Sequence, residues 1–124
     1  FRRVLLRSET IAAQARSGFD VVADLGMHSD YAAPFDPMDI LGDRLGAFSP
    51  LLVGVLCGLD TIMARRNADP QGGLYAAGPG VPAPVRRWQE AVHRDKAYDL
   101  TLAMDALTPE QGAERIAAAL AARG

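Results

Sequence analysis

The chain has a single cysteine, Cys57, among its 124 residues, which excludes an internal disulfide and leaves a core that must hold without covalent staples. A reducing cytoplasm is the expected home. No apolar run approaches the roughly twenty residues that a bilayer crossing requires. The opening stretch FRRVLLRSE lacks a long apolar segment and a small-residue cleavage site, so neither a signal peptide nor an anchor is expected. Basic excess is also missing: the formal net charge is -2, and a surface that tracks phosphates normally leaves a positive balance, so no nucleic-acid partner is expected. The histidines, His28 and His93, have no spaced cysteine or acid partners of the kind that hold structural zinc. There is no nucleophile elbow, which with the adjacency of His28, Ser29 and Asp30 argues against a nucleophile, base and acid relay. No internal repeat is visible.

What remains has the composition of a compact soluble protein, 49% hydrophobic and 23% charged, expected to form one α/β domain over residues 1–124. Val4, Leu5, Ile11, Ala12 and Ala15 fall near a 3.6-residue period, which predicts a helix over residues 2–17 closed by Gly18 as a left-handed cap. Residues 19–25 are aromatic and β-branched, bounded by Gly26, and read as a short buried strand with Asp24 at its carboxyl end. Asp36 and Pro37 supply a cap and a preorganised first turn for a helix to about Leu45, with Asp39 and Asp43 on its solvent face.

Residues 51–57, opened by Pro50, are nearly free of polar side chains and read as a central buried strand. Gly58 breaks it, and Asp60 is placed to cap a helix through Ile62, Met63, Arg65 and Arg66. Residues 69–84 gather glycines and prolines into a long, mobile, lid-like loop, a length that inside a domain is usually functional or disordered. A helix over residues 85–94 with Trp88 as a core anchor, a strand over 98–104, and a final helix complete the order. The last begins with a capping box of Thr108 and Gln111 around Pro109, and its apolar stripe is Ile116, Ala117 and Leu120.

Parallel strands joined by helical crossovers bring their carboxyl ends to one sheet edge, so function is sought at Asp24, at the turn 57–60 and at Asp105. An acid after a buried strand either orders the water shell of a nucleotide-bound magnesium ion or simply ends the strand. Arg65 and Arg66, just before the loop, have the planar fork that pairs with phosphate oxygens, or form a solvated helix end. His28, Ser29, Asp30 and Tyr31 follow the strand ending at Asp24 and are candidates to line a substrate pocket. Cys57 ends an apolar strand and reads as a packing residue. Gly78, Pro79 and Gly80 mimic part of a glycine fingerprint, but proline removes an amide that a phosphate would need.

Four stretches in order carry a family resemblance: the first helix leading into GFDVVAD, then VGVLCGLD, MARRNAD and VHRDKAYDLTLAMD. Together they resemble the chloramphenicol phosphotransferase-like group of P-loop small-molecule kinases. The resemblance implies a three-layer parallel sheet of P-loop kinase type, with ATP and Mg2+ as cofactors and a pocket presenting the hydroxyl of a small molecule. It implies that Asp24 is the Walker-B-like acid, that Arg65 and Arg66 begin the phosphate lid, and that His93 is the lid-proximal histidine, a supporting group behind the site. In the resembling fold the phosphate-loop strand lies between the strands that here end at Asp24 and Cys57.

The 124 residues contain no G-x-x-x-x-G-K-S/T, and the lid reads ARRNADP where the family commonly has alanine, arginine, glycine, aspartate, arginine. The fold is therefore expected to lack its first strands here. The chain is either the carboxyl-terminal part of a kinase or one whose sheet is repaired by pairing between copies, which makes a homo-oligomer the expected state. The alternative reading is a noncatalytic α/β interaction or oligomerisation domain that lost nucleotide binding. Magnesium-ATP binding separates the two.

Overall fold

The computed structural model describes residues 2–30, 35–73 and 77–124. They fall into two compact units, Phe1–Pro50 with Ala91–Arg94, and Leu51–Glu90 with Asp95–Gly124. No described helix is long and apolar enough to cross a membrane.

In the first unit, α1 (Arg2–Arg16) turns Val4, Ser8 and Ala12 inward, a four-residue spacing that lines one helix face. Ser8 is fully buried and satisfies its hydroxyl by donating to the Leu5 carbonyl at 2.9 Å. The helix ends as its sequence predicts. Gly18 takes φ +84°, its N–H donates to Ala15 O at 3.0 Å, and the Phe19 N–H donates to Gln14 O at 3.2 Å, which is a Schellman closure. At α2 (Pro37–Leu45), Asp36 caps the start by accepting from the Met38 N–H at 2.9 Å, and Asp39 and Asp43 face solvent. Val4, Met27 and Leu41 form the core of this unit, with Leu25, Phe35 and Met38 packed around them. An ion pair of Glu9 and Arg44 joins α1 to α2 outside that core.

Residues 19–25 correct the first strand expectation: they form no strand and pair with none among the described residues, and Phe19 and Val22 are 64% and 99% exposed. A β-branched run becomes a strand only when another chain segment satisfies its backbone N–H and C=O groups. Propensity without a partner leaves it open.

The second unit is built on a two-stranded parallel sheet, β1 (Val53–Leu56) and β2 (Leu100–Ala103), with Val53 opposite Leu100 and Leu56 opposite Ala103. Between them the chain forms α3 (Leu59–Ala68) and α4 (Ala83–Ala91), so α4 begins inside the stretch read as loop. The strand at 51–57 is shorter and less buried than its sequence suggests, with Val55 55% exposed. Among the described residues β1 is paired on one edge only, whereas a fully apolar strand normally lies inside a sheet with both faces covered. Trp88 is 41% exposed rather than a core anchor.

The final helix, α5 (Pro109–Arg123), starts with the expected capping box: the Gln111 N–H donates to Thr108 Oγ1 at 3.2 Å and the Thr108 N–H to Gln111 Oε1 at 2.9 Å. Its packed side differs from the stripe expected. Gly112, Ile116 and Ala119 are covered, whereas Ala117 and Leu120 face outward. Gly112 is the cause, because its bare Cα lets the helix settle on β2, and a helix that touches there turns the residues four and seven positions on toward the sheet. A Cβ at Gly112 would meet Met104 at 3.5 Å and Leu102 at 3.7 Å, ordinary contact distances. Gly112→Ala is therefore expected to raise stability by roughly 0.5–1 kcal/mol by removing backbone freedom from the unfolded chain. A lower urea midpoint for this variant would contradict that packing.

Candidate functional site

Because β1 and β2 run parallel, the residues that leave their carboxyl ends meet on one edge, and here they are Cys57 with Gly58, and Met104 with Asp105. The N-cap of α3 is Gly58, not Asp60, and it has no side chain with which to satisfy the helix start. Asp105 serves as the cap instead, since both of its carboxylate oxygens accept from the Gly58 N–H at 3.1 Å. The Thr61 hydroxyl, the largest influence, and then this backbone N–H hold the Asp105 carboxyl below its ordinary value of 3.8. Its stabilising contribution is thus complete above that ordinary value and is lost as the pH falls through the lowered folded value.

Arg65 closes the same edge from α3, donating through Nη2 to Met104 O at 2.7 Å and approaching Cys57 Sγ with Nη1 at 3.8 Å. Gln89 Nε2 donates to Cys57 O at 2.7 Å. The Cys57 thiol, half-buried, donates to Asp105 Oδ1 at 3.7 Å. Burial pushes the thiol up first, and the Asp105 charge adds to it against the opposing pull of Arg65. A thiol held up in this way carries little thiolate at neutral pH. Asp105→Asn, which removes the charge and keeps the shape, is expected to speed alkylation of Cys57 by iodoacetamide at neutral pH several-fold; an unchanged or slower rate would remove Asp105 as the controlling group.

At the opposite end of the strands, Asp99 Oδ2 accepts from the Leu52 N–H at 2.7 Å while the Asp99 N–H donates to Leu52 O at 2.9 Å. Beside it the Tyr98 ring lies on Gly54: a Cβ there would fall 2.4 Å from the ring. The glycine of VGVLCGLD and the tyrosine of KAYDL are therefore complementary parts of one contact. In the last turn of α3, Asn67 ties the following loop back by donating to Gly78 O at 3.2 Å and accepting from the Gly78 N–H at 3.0 Å.

In the first unit, Asp24 ends no paired strand and is exposed. Beyond it Met27 turns inward to the core, and His28 and Asp30 are half-buried on either side of exposed Ser29. The Asp30 N–H donates to His28 Nδ1 at 3.1 Å. Arg94, just past α4, donates from Nη1 to Asp30 Oδ1 at 2.7 Å. His93 is half-buried beside Arg94 in sequence and is engaged in an interaction of its own. Tyr31 lies outside the described residues. Sequence reasoning found neither Arg94, whose partner stands 64 positions away, nor the capping role of Asp105. The only local sign of the latter was a glycine where a capping side chain is usual.

The molecule is thus a mixed α/β protein whose polar groups collect at the carboxyl edge of a parallel strand pair and on a separate loop after residues 19–25. The family model for chloramphenicol phosphotransferase-like proteins matches residues 4–121. The chain belongs to that family, which places it among kinase-like phosphotransferases. No curated protein and no solved structure matches it.

Proposed function

We propose that the chain is part of an ATP-dependent phosphotransferase that moves the terminal phosphate of ATP to a hydroxyl of a small molecule. The observation that carries this reading is the family match across residues 4–121. The wider three-layer sheet belongs to the same proposal. It is supported by the aromatic and β-branched run at residues 19–25, unpaired among the described residues, and by the single paired edge of β1 there, both of which suit a sheet with further strands.

The residues present fit Mg2+ in the limited way such an ion needs. Mg2+ keeps several waters and takes one or two carboxylates together with substrate phosphates, so no protein cage is required. Asp24 offers an exposed carboxylate with no hydrogen-bond partner among the described residues, and no group of three His, Cys, Asp or Glu forms an alternative cage there. The ion, when bound, neutralises charge on the phosphates during transfer. Asp24 would hold its water shell, and the His28, Ser29 and Asp30 loop would receive the acceptor. Arg65 and Arg66 would begin the lid over the phosphates, Arg65 only by releasing Met104 O, to which it already donates.

Calorimetric titration of the full-length gene product with magnesium-ATP tests the reading. Asp24→Ala is expected to weaken binding at least about tenfold, some 1.4 kcal/mol, with folding retained. A wild-type chain that binds no magnesium-ATP would instead favour a noncatalytic interaction domain.

A further inference from the structure

We infer that Asp105 is a positioning residue for the phosphate lid: it holds the start of α3 in place so that Arg65 can exchange Met104 O for a phosphate oxygen without the helix moving. This deepens the phosphotransferase reading and rests on it for the phosphate, though not for the geometry. The helix is tied to the strand edge at two levels. At its start both Asp105 oxygens accept from the Gly58 N–H at 3.1 Å, and the Thr61 hydroxyl bonds to the same carboxylate. Gln89 Nε2 fixes the residue before it by donating to Cys57 O at 2.7 Å. About two turns further along, Arg65 donates to Met104 O at 2.7 Å. Met104 and Asp105 are neighbours just past β2, so one short segment grips α3 at two points on one helix face.

The two ties differ in what can replace them. Arg65 is exposed, and its acceptors are a carbonyl and, at 3.8 Å, the Cys57 sulfur, both neutral. It makes no ion pair among the described residues, so no contacting carboxylate cancels its charge. Asp105 is the nearest competitor, but its oxygens are spent on Gly58 and Thr61. The Cys57 sulfur also touches both groups, 3.7 Å from Asp105 Oδ1 and 3.8 Å from Arg65 Nη1, and so spaces the carboxylate from the guanidinium. A phosphate brings charged oxygens, and a charge-assisted, bidentate bond to arginine is stronger than a bond to a neutral carbonyl. Arg65 is therefore the tie that a phosphate displaces. When it lets go, Asp105, Thr61 and Gln89 still fix the helix start, and the guanidinium moves from a stationary root. Asp105 itself touches no phosphate.

The test is calorimetric titration of the full-length gene product with magnesium-ATP and magnesium-ADP, since only ATP carries the terminal phosphate, together with NMR of the Arg65 Nε–H and the Gly58 amide. Arg65→Gln is expected to weaken magnesium-ATP about tenfold and magnesium-ADP much less. Asp105→Ala should cause part of the same selective loss, speed exchange of the Gly58 amide and disorder the Arg65 signal. The double variant should lose no more than Arg65→Gln alone, because one residue acts through the other. Asp105→Asn, whose amide oxygen still accepts from Gly58, should restore part of the preference for ATP. Should Asp105→Ala fail to fold, Thr61→Val loosens the same carboxylate and is expected to act in the same direction by less. Additive losses, an Asp105→Ala that weakens both nucleotides alike, or an Arg65 signal indifferent to Asp105 overturns the inference. A folded wild type that binds neither nucleotide, with Arg65 still disordered by Asp105→Ala, rejects the ATP reading while upholding the positioning of Arg65.

Discussion

Gly54→Ala is expected to destabilise the chain by about 1–3 kcal/mol, the usual cost of forcing extra volume into a filled site. A Cβ on Gly54 would lie 2.4, 2.6 and 2.8 Å from three carbons of the Tyr98 ring, closer than real atoms approach. One of those is the ring carbon nearest the backbone, so the side chain cannot swing its tip away to make room. The ring has to move as a body, and the hydrogen bonds between Asp99 and Leu52 hold the backbone beside it. The cost should fall when Tyr98 is also shortened. In Gly54→Ala with Tyr98→Leu, the total is expected to be smaller than the sum of the separate losses, since the two positions share one contact. Urea unfolding of the four proteins reads this directly; additive losses would show that ring and glycine do not depend on each other.

Leu102→Ala is expected to cost more, about 2–5 kcal/mol. Leu102 is 2% exposed and is among the largest side chains wholly enclosed by the fold. It lies beneath α5, against Gly112 and near Met104. Gly112 has no side chain with which to fill the space a leucine leaves, and the cavity term adds to the lost burial. A variant whose unfolding midpoint hardly moves would mean that α5 collapses onto β2 freely, contrary to the contact described.

Local chemistry was legible in the sequence wherever it was closed within a few residues. The Gly18 cap, the Asp36 cap with Pro37 and the Thr108 capping box all stand as expected, because each is satisfied by neighbours along the chain. What depended on distant partners was not legible. The apolar run at residues 19–25 has strand propensity but no strand opposite it among the described residues, and β1 is half-exposed for want of a second neighbour there. The same limit hid the polar site. Asp105 caps a helix that starts 47 residues earlier, and Arg94 meets an aspartate 64 residues away; neither spacing has a period to betray it. Parallel topology did carry one part, since it requires the residues after β1 and β2 to share an edge, and Cys57, Gly58 and Asp105 do so.

The family motifs take on physical content in the same way. VGVLCGLD supplies a glycine on which the Tyr98 ring rests and a second glycine whose N–H donates to a capping carboxylate from the end of the other strand. AYDLTLAMD supplies the ring, the clamp on Leu52 and that carboxylate. These residues build the strand pair and its edge, and the phosphate chemistry we propose is asked of others, Asp24 and the lid arginines Arg65 and Arg66.

The most direct test of the phosphotransferase assignment is transfer of the terminal phosphate of labelled ATP by the full-length gene product, with magnesium, to a mixture of small hydroxyl compounds. Label is expected in an acid-stable phosphate ester, formed only with an acceptor present and lost in Asp24→Ala. Failure to bind magnesium-ATP at all, with the protein folded, would contradict the assignment.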